Sequence, residues 1–303
     1  MVLAKISPDT ALQCIQIALC ATPAFASGIV EDITKNVSPR RRLFAALISG
    51  LMAYFILNIH IPSPEIEFLK GDLASIQTIA IVFITIFFVS GVVHAVNIID
   101  GMNGLASMSV IAASTGIFII AKVNGDVLVA GLALACSGAV LGFFVWNYPR
   151  GIIFLGDGGA YLLGFWVASL GLLLINRNQS VSVVSPMLLM AYPLFETLFT
   201  MYRRHFLQGR SISRPDGMHL HTLIYRRKMR WSSKNVGNLE TNTGNARTSP
   251  PLWLINMIAV VPAIVWWDNT AALLIASAAF AAAYLLLYWR IVSFKTPYWL
   301  RHF

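Results

Sequence analysis

A few acidic side chains in this sequence have neighbours that suit phosphate or metal chemistry. Glu31 and Asp32 are adjacent, Asp100 precedes a glycine, and Asp157 lies inside a glycine-rich run. Carboxylates that converge repel one another unless a cation lies between them, and hard oxygen ligands suit Mg²⁺ or Mn²⁺. We therefore predict that these four side chains meet at one site, where Asp157 holds the metal ion.

Each of these motifs also has a purely structural interpretation. Asn97 and Asp100 share one helical face with the glycines that follow, as in a helix cap with small residues for close packing. Asp157 precedes an apolar segment and is equally consistent with the N-cap of a helix. In the functional interpretation, the glycine-rich turn lets backbone N–H groups and a helix N-terminus approach a diphosphate.

A histidine pair lies in the longest polar connection of the chain. His219 and His221 are two residues apart, so both imidazoles face the same way in an extended segment. Such a pair suits either phosphate or a transition metal. Because the sequence has no third soft ligand nearby, we predict contacts with phosphate or uracil.

The elements that must position these residues are apolar. Hydrophobic residues make up 57% of the 303-residue chain, charged residues only 12%, and the mean hydropathy is +0.70. Soluble domains carry about 25% charged residues, so a soluble protein is excluded, as are disordered, collagen-like and disulfide-scaffold classes. The net charge of +9 does not indicate nucleic acid, because an excess of Lys and Arg marks the cytosolic face of a membrane protein.

Eight segments approach the roughly 20 apolar residues that a helix needs to cross a bilayer core of ~30 Å, and a ninth, weaker segment lies at 12–30. We predict an all-α, polytopic integral membrane bundle of about nine transmembrane helices, with a single domain over 1–303 and a long cytosolic loop at 203–251. Eighteen of the 22 basic residues then fall on one side, which predicts an outside N-terminus and a cytosolic C-terminus. The nine segments are 12–30, 43–61, 79–96, 105–121, 127–146, 158–175, 183–202, 252–267 and 271–289.

Two further polar residues fall within the predicted spans. Glu196 is an intramembrane carboxylate, which is a functional hypothesis by default, although a buried structural pair explains it equally well. His94 lies one turn before Asn97, and we interpret it as a hydrogen-bonding residue between helices.

Four motifs, taken in order, resemble those of the polyprenyl-phosphate N-acetylhexosamine-1-phosphate transferases (glycosyltransferase family 4). The resemblance covers about residues 28 to 290, and every motif lies on the predicted cytosolic side. The motifs are the acidic pair at 31–32, the N-x-x-D-G-x-x-G-L element at 97–105, the F-x-G-D-x-G element at 154–159, and the Arg and H-x-H loop at 210–221.

The chain departs from this family pattern at several positions. The acidic pair is usually Asp-Asp, the second motif often carries Asp where this chain has Asn103, and the histidine cluster commonly has a third member where this chain has Thr222. The family also generally has another membrane stretch before the acidic pair. An N-terminally truncated, non-catalytic remnant is therefore one alternative.

The resemblance implies transfer of an N-acetylhexosamine 1-phosphate from a UDP-sugar to undecaprenyl phosphate, which gives a polyprenyl-diphospho-sugar and UMP. Asp157 is then the ligand of Mg²⁺, with Mn²⁺ as a substitute. Direct attack and a covalent aspartyl intermediate both remain open. The implied catalytic residues are Asp32, Glu31 and Asp100, and the implied substrate-binding residues are Asn97, Asn103, Arg210, His219 and His221.

The expected location is the bacterial inner (plasma) membrane, with a cytosolic active site. The expected partners are undecaprenyl phosphate, a UDP-sugar and the lipid bilayer, with a homodimer left open and no nucleic acid. The shortened histidine cluster favours the initiation of surface polysaccharide such as O-antigen, or of another cell-envelope glycan. A transporter or lipid flippase is the main alternative class, and it would need ionisable groups near the bilayer midplane, where Glu196 alone is predicted to lie.

Overall fold

The computed structural model describes residues 8–62, 74–209, 211, 216–235, 245–295 and 297, and these residues form helices and connecting turns without any strand. The all-α class is therefore confirmed. The helices are α1 (Pro8–Thr34), α2 (Pro39–Ile56), α3 (Ala74–Ile99), α4 (Leu105–Val123), α5 (Val127–Asn147), α6 (Gly156–Arg177), α7 (Val184–Leu189), α8 (Ala191–Tyr202), α9 (Leu220–Asn235), α10 (Ser249–Val265) and α11 (Thr270–Val292), with a π-helical turn at Arg203–Leu207.

Six of these helices are long and apolar enough to cross a membrane, so the chain has the character of a multi-pass membrane protein. The count of nine is not confirmed, and the orientation of the termini stays a prediction. The other three predicted spans correspond to α2, to the α7–α8 pair and to α10, which has 17 residues. The six helices are α1, α3, α4, α5, α6 and α11.

The segment predicted as one span over 183–202 is divided at Met190. The reason lies in Pro193, which has no N–H group to donate to the carbonyl of Leu189, where α7 ends. The helix resumes at once as α8, and Leu194 donates its N–H to the Met190 carbonyl at 3.1 Å. The break therefore separates a short helix from the one that carries Glu196.

Helix α6 is the centre of the bundle. It packs between α1 and α3, α2 covers those two helices, and α4 contacts both α5 and α10. Helices α7, α8, α10 and α11 form the remaining group. Most of α6 is buried, whereas large apolar side chains of α3 and α11, such as Phe87 and Ile275, are exposed as expected for contact with lipid.

Glycines allow α6 to approach its neighbours at backbone distance. A Cβ atom at Gly28 of α1 would lie 2.5 Å from the backbone nitrogen of Gly158, and one at Gly164 would lie 2.7 Å from the Cα atom of Val93 on α3. Small residues are the usual means by which membrane helices pack this closely. The contact at Gly28 matters most, because it lies one turn before Asp32.

We expect Gly28→Ala to destabilise the protein by about 1–3 kcal/mol, because the added methyl group meets backbone atoms that cannot move without shifting a helix. Thermal unfolding in detergent measures this effect. Gly131→Ala on α5 is the matched control, since nothing lies within 4 Å of a Cβ atom there. Equal melting temperatures for the two variants would contradict the close α1–α6 contact.

Candidate active site

The carboxylate of Asp32 lies at the N-terminus of α6. Its Oδ1 atom accepts a hydrogen bond of 3.0 Å from the N–H group of Asp157, and its Oδ2 atom accepts one of 2.9 Å from the N–H group of Gly158. Gly156 makes this approach possible, because its φ of +69° suits glycine and a Cβ atom there would lie 2.6 Å from Oδ2. The first and third acidic motifs are thus joined directly, and two of the N–H groups expected to face a diphosphate are taken by Asp32.

The side chain of Asp157 is held by two other helices. Arg42, in the first turn of α2, forms an ion pair with its Oδ2 atom, and Asn97, near the end of α3, donates a hydrogen bond of 2.8 Å to its Oδ1 atom. Four helices therefore converge at Asp157. Arg42 was not among the predicted site residues, although its position after Ser38 and Pro39 at the start of a helix was a signal available in the sequence.

The local sequence explains why Arg42 is available at this point. Ser38 caps α2 by accepting a hydrogen bond from the N–H group of Arg41, and Pro39 occupies the first helical position. The helix therefore begins just after the turn that follows Asp32. Arg42 then reaches Asp157 from the first turn of α2, while its Nε atom is buried without a hydrogen-bond partner.

Asp100 lies in the turn that follows α3, within electrostatic reach of both other aspartates. Burial, and then the negative charges of Asp157 and Asp32, raise the pKa of Asp100 to about 8. Asp100 is therefore largely protonated at neutral pH when no cation is bound. Three of the four acidic side chains that were predicted to meet thus form one electrostatically coupled group, and their shared role in holding a metal ion stays a prediction.

Glu31 has a different environment from the three aspartates. Its Oε2 atom accepts a hydrogen bond of 2.7 Å from the N–H group of Val37, which closes the turn between α1 and α2. No contact joins it directly to Asp157 in the described part of the chain. Its catalytic role stays a prediction, and its observed contact supports the turn that precedes Arg42.

His221, one member of the histidine pair, lies beside the turn that carries Asp100. The rings of His219 and His221 are stacked with centroids 5.3 Å apart, and a Cβ atom at Gly101 would lie 3.1 Å from the Nε2 atom of His221. His221 is only 3% exposed, and burial lowers its pKa to about 4. It is therefore a neutral imidazole at neutral pH, and its Nδ1 atom has no hydrogen-bond partner.

Glu196 anchors this histidine segment from within α8. The side chain is fully buried, with an Oε1 atom 3.0 Å from Nδ1 of His219 and an Oε2 atom that accepts a hydrogen bond of 2.6 Å from the hydroxyl of Tyr284. The N–H group of Leu220, at the start of α9, lies 3.3 Å from both carboxylate oxygens. Glu196 thus ties α8, α9 and α11 together behind the histidines.

We expect Glu196→Gln to lower the rate of any reaction that uses the histidines by about tenfold to a hundredfold, because a buried amide satisfies fewer of the N–H and O–H donors that converge on it. Turnover and thermal unfolding of the purified variant measure the effect. Tyr284→Phe removes one donor and leaves the carboxylate with its other partners, so it should cost less. An unchanged rate for Glu196→Gln would show that the histidines do not depend on this anchor.

An ion pair between Arg203 and Asp216 fixes the segment that leads to the two histidines. Arg203 is paired with Asp216, and Arg204 donates hydrogen bonds to the Ser211 carbonyl. Burial alone would raise the pKa of Asp216, but the hydrogen bond and charge of Arg203 outweigh it, so the pKa is lowered. Asp216 therefore stays ionised at neutral pH and holds the histidine segment to the π-helical turn.

The other polar residues singled out in the sequence have different environments. Asn97 contacts Asp157, as described above, whereas Asn103 is turned into the protein and donates its side-chain amide to the carbonyl of Pro149 at 3.3 Å. Arg210 lies outside the described residues. His94 packs its ring edge-on against Tyr161 with centroids 5.2 Å apart, and its Nε2 atom is buried without a partner.

The donor set fits a hard divalent cation of the magnesium type. Asp157 and Asp100 offer carboxylate oxygens, and no cysteine lies among these residues. Among the residues that the structure describes, no three His, Cys, Asp or Glu side chains are grouped closely enough to hold a metal ion by themselves. Mg²⁺ is usually bound through one or two carboxylates, with substrate phosphates and water completing the shell.

Comparison with known proteins places these motifs in a wider context. Residues 14–175 match the family model described as glycosyl transferase family 4. A Bacillus subtilis (strain 168) protein named probable undecaprenyl-phosphate N-acetylglucosaminyl 1-phosphate transferase is 37% identical over 140 residues, which cover 46% of this chain and 38% of the relative.

Other relatives carry the name phospho-N-acetylmuramoyl-pentapeptide-transferase. The protein from Streptococcus thermophilus (strain CNRZ 1066) is 30% identical over 238 residues, or 75% of this chain and 68% of the relative. The protein from Lactococcus lactis subsp. cremoris (strain MG1363) is 32% identical over 172 residues, or 54% of this chain and 52% of the relative. The matched part of the chain thus spans between about a third and two thirds of the length of these three relatives.

Proposed function

Since the chain belongs to glycosyl transferase family 4, we propose that it transfers a sugar 1-phosphate from a UDP-sugar to a polyprenyl phosphate and releases UMP. The observation that carries this proposal is the junction of the acidic motifs, where Asp32 caps α6 and Asp157 meets Arg42 beside Asp100. Carboxylates, a guanidinium and a helix N-terminus at one end of a membrane bundle suit two phosphorylated reactants, one of them anchored in lipid.

In the proposed reaction, an oxygen of the lipid phosphate attacks the β-phosphorus of the UDP-sugar. A new P–O bond forms as the bond between that phosphorus and the bridging oxygen breaks, and UMP leaves with the bridging oxygen. Such a reaction depends mainly on positioning and on neutralising charge. Arg42 supplies a fixed positive charge for that purpose.

Asp157, with Asp100, would hold a Mg²⁺ or Mn²⁺ ion whose chemical contribution is to neutralise charge on the phosphates. Asn97 and Arg42 orient the Asp157 carboxylate through one oxygen each. His221, a neutral imidazole beside Gly101, and His219, whose ring stacks on that of His221, are proposed to contact the phosphates or the uracil.

The hydrogen bonds of Asp32 favour direct attack over a covalent aspartyl intermediate at that residue. Both of its oxygens accept backbone N–H groups, so neither can attack without giving up a hydrogen bond to the start of α6. Asp157 is likewise engaged through both oxygens. We therefore assign Asp32 the task of fixing the N-terminus of α6 and orienting the lipid phosphate.

We further propose that the donor carries an N-acetylhexosamine, that the acceptor is undecaprenyl phosphate, and that the reaction takes place at the cytosolic face of a bacterial inner membrane. Relatives named for GlcNAc and for the muramoyl pentapeptide both support an N-acetylated sugar. The H-x-H-T sequence at 219–222 favours the initiation of surface polysaccharide over the pentapeptide reaction.

Inverted membrane vesicles from cells that express the chain provide the test. They are supplied with undecaprenyl phosphate, Mg²⁺ and a panel of UDP-sugars labelled with ³²P in the β-phosphate, including UDP-GlcNAc and the muramoyl-pentapeptide donor. We expect label in the lipid fraction that is lost with EDTA and restored by Mg²⁺. Folded protein that labels no lipid with any donor would overturn the proposal and favour the non-catalytic remnant.

The transporter alternative has less support from the described residues. Glu196, the ionisable side chain predicted to lie at depth, is fully buried and engaged by several donors instead of facing a path for a solute. The aspartates gather at one end of α6 and the adjoining turns. Movement of unmodified lipid or of UDP-sugar across the vesicle membrane, without transfer of label, would favour the transporter.

A further inference from the structure

Two asparagine side chains join the turn that carries Asp100 to the segment that leads to Asp157. We name these the Asp100 turn (residues 100–104) and the α5–α6 connection (residues 148–155). Asn103 donates its side-chain amide to the carbonyl of Pro149 at 3.3 Å. Asn147 accepts a hydrogen bond of 2.6 Å from the N–H group of Gly104 and donates one of 2.8 Å to the carbonyl of Ile153.

Both side chains are enclosed. Asn103 and Asn147 are each 5% exposed. Gly151, with a φ of +62°, lies directly against the amide of Asn103, because a Cβ atom there would lie 2.7 Å from its Nδ2 atom. The α5–α6 connection therefore packs directly against the side chain of Asn103 and helps to bury it.

Helix α10 and the residues just before it form hydrogen bonds with backbone groups of the Asp100 turn. The N–H group of Asn103 donates to Asn245 at 2.7 Å, and its carbonyl accepts a hydrogen bond of 2.6 Å from Ser249 at the start of α10. The indole of Trp253 donates to the Gly104 carbonyl at 3.1 Å. The backbone N–H, the backbone carbonyl and the side-chain NH₂ group of Asn103 are thus all hydrogen-bonded to other parts of the protein.

We infer that Asn103 and Asn147 are positioning residues, which clamp the Asp100 turn to the α5–α6 connection and so fix the position of Asp100 relative to the segment that leads to Asp157. This inference rests on the proposed function for its catalytic consequence. It replaces the expectation that Asn103 binds substrate. The rigidity of the clamp, by contrast, can be measured without any reaction.

The substitution Asn103→Asp separates the two roles sharply. A substrate contact made through the side-chain oxygen should tolerate the change, because a carboxylate keeps that acceptor. A clamp should not tolerate it, since a carboxylate has the same shape but offers no N–H donor to the Pro149 carbonyl, and the two oxygens repel. Asn103→Ala removes the same donor without adding charge.

We expect the rate constant kcat of Asn103→Asp to fall by about tenfold or more, while KM for the UDP-sugar changes by less than about threefold. The activity of Asn103→Asp relative to the unsubstituted protein should recover as the pH falls, because a protonated carboxyl group can donate to Pro149. Asn103→Ala should show no such recovery.

Hydrogen exchange of peptides covering 100–108 and 146–156 gives the readout that is independent of activity. Both substitutions at Asn103 should increase exchange in both peptides. Asn124→Asp is the matched control, because its amide also donates to a carbonyl, that of Ile120 at 2.9 Å, but at the other end of α4. It should leave kcat and exchange in these peptides unchanged.

The outcomes distinguish the inference from the function on which it rests. A fully active Asn103→Asp with unchanged exchange would overturn the clamp, as would a variant in which KM alone rises. If the unsubstituted protein labels no lipid, the proposed function fails. In that case increased exchange in the Asn103 variants would still support the clamp, and unchanged exchange would refute it.

Discussion

Asp157→Asn is expected to reduce turnover by on the order of a thousandfold or more while the protein remains folded and inserted. The substitution keeps the shape of the side chain but removes the charge that pairs with Arg42 and that would hold the divalent ion. The backbone N–H group of Asp157 still donates to Asp32, so the N-terminus of α6 keeps its cap. Transfer of ³²P-labelled sugar phosphate to lipid, normalised to folded protein, measures the loss.

Helix α6 offers a matched control for this experiment at its other end. Asp126, the N-cap of α5, accepts a hydrogen bond of 2.8 Å from Arg177, the last residue of α6. Asp126→Asn therefore breaks a comparable Asp–Arg pair far from the site, and it should lower stability without lowering turnover per folded molecule. Similar turnover losses in the two variants would mean that Asp157 acts only through stability.

Asp32→Asn is expected to lower both stability and turnover. An amide has one acceptor oxygen, so its NH₂ group would face one of the two N–H donors at the start of α6. We expect a loss of about 1–2 kcal/mol in the free energy of unfolding, as for a lost helix cap. Turnover should fall by about a hundredfold or more, because the same change displaces Asp157.

Whether stability and turnover fall together distinguishes the possible roles of Asp32. If Asp32 fixes α6 and orients the lipid phosphate, Asp32→Glu should also be impaired, because a longer side chain cannot meet both N–H groups with the same geometry. If Asp32 were solely a base or nucleophile, Asp32→Asn would abolish turnover without changing the melting temperature. Unfolding curves and label transfer on the same samples separate these cases.

The class of the protein and the grouping of its aspartates could be predicted from the sequence. Helices in a bilayer satisfy their own backbone hydrogen bonds, so length and hydropathy located the helical segments without knowledge of their packing. Asp32, Asp100 and Asp157 were predicted to converge because their connections lie on one side of the membrane. Their mutual effect on the pKa of Asp100 agrees with that prediction.

The particular contacts could not be predicted, because they join residues far apart in the chain. Arg42 and Asp157 are separated by 115 positions, and nothing local to either selects the other. Glu196 was equally consistent with a functional and a structural role, and its contacts with His219 and Tyr284 depend on how α8, α9 and α11 pack. The break at Met190 had a visible signal in Pro193, which the hydropathy pattern over 183–202 outweighed.

The cap that Asp32 provides to α6 has a consequence for biosynthesis. Most helices take an N-cap from the preceding residue, but here the acceptor lies 125 positions earlier. During translation, α1 is made long before the ribosome has made α6. Asp32 therefore has no partner at the start of α6 until that helix emerges, and a nascent chain released before that point lacks the contact that joins the first acidic motif to Asp157.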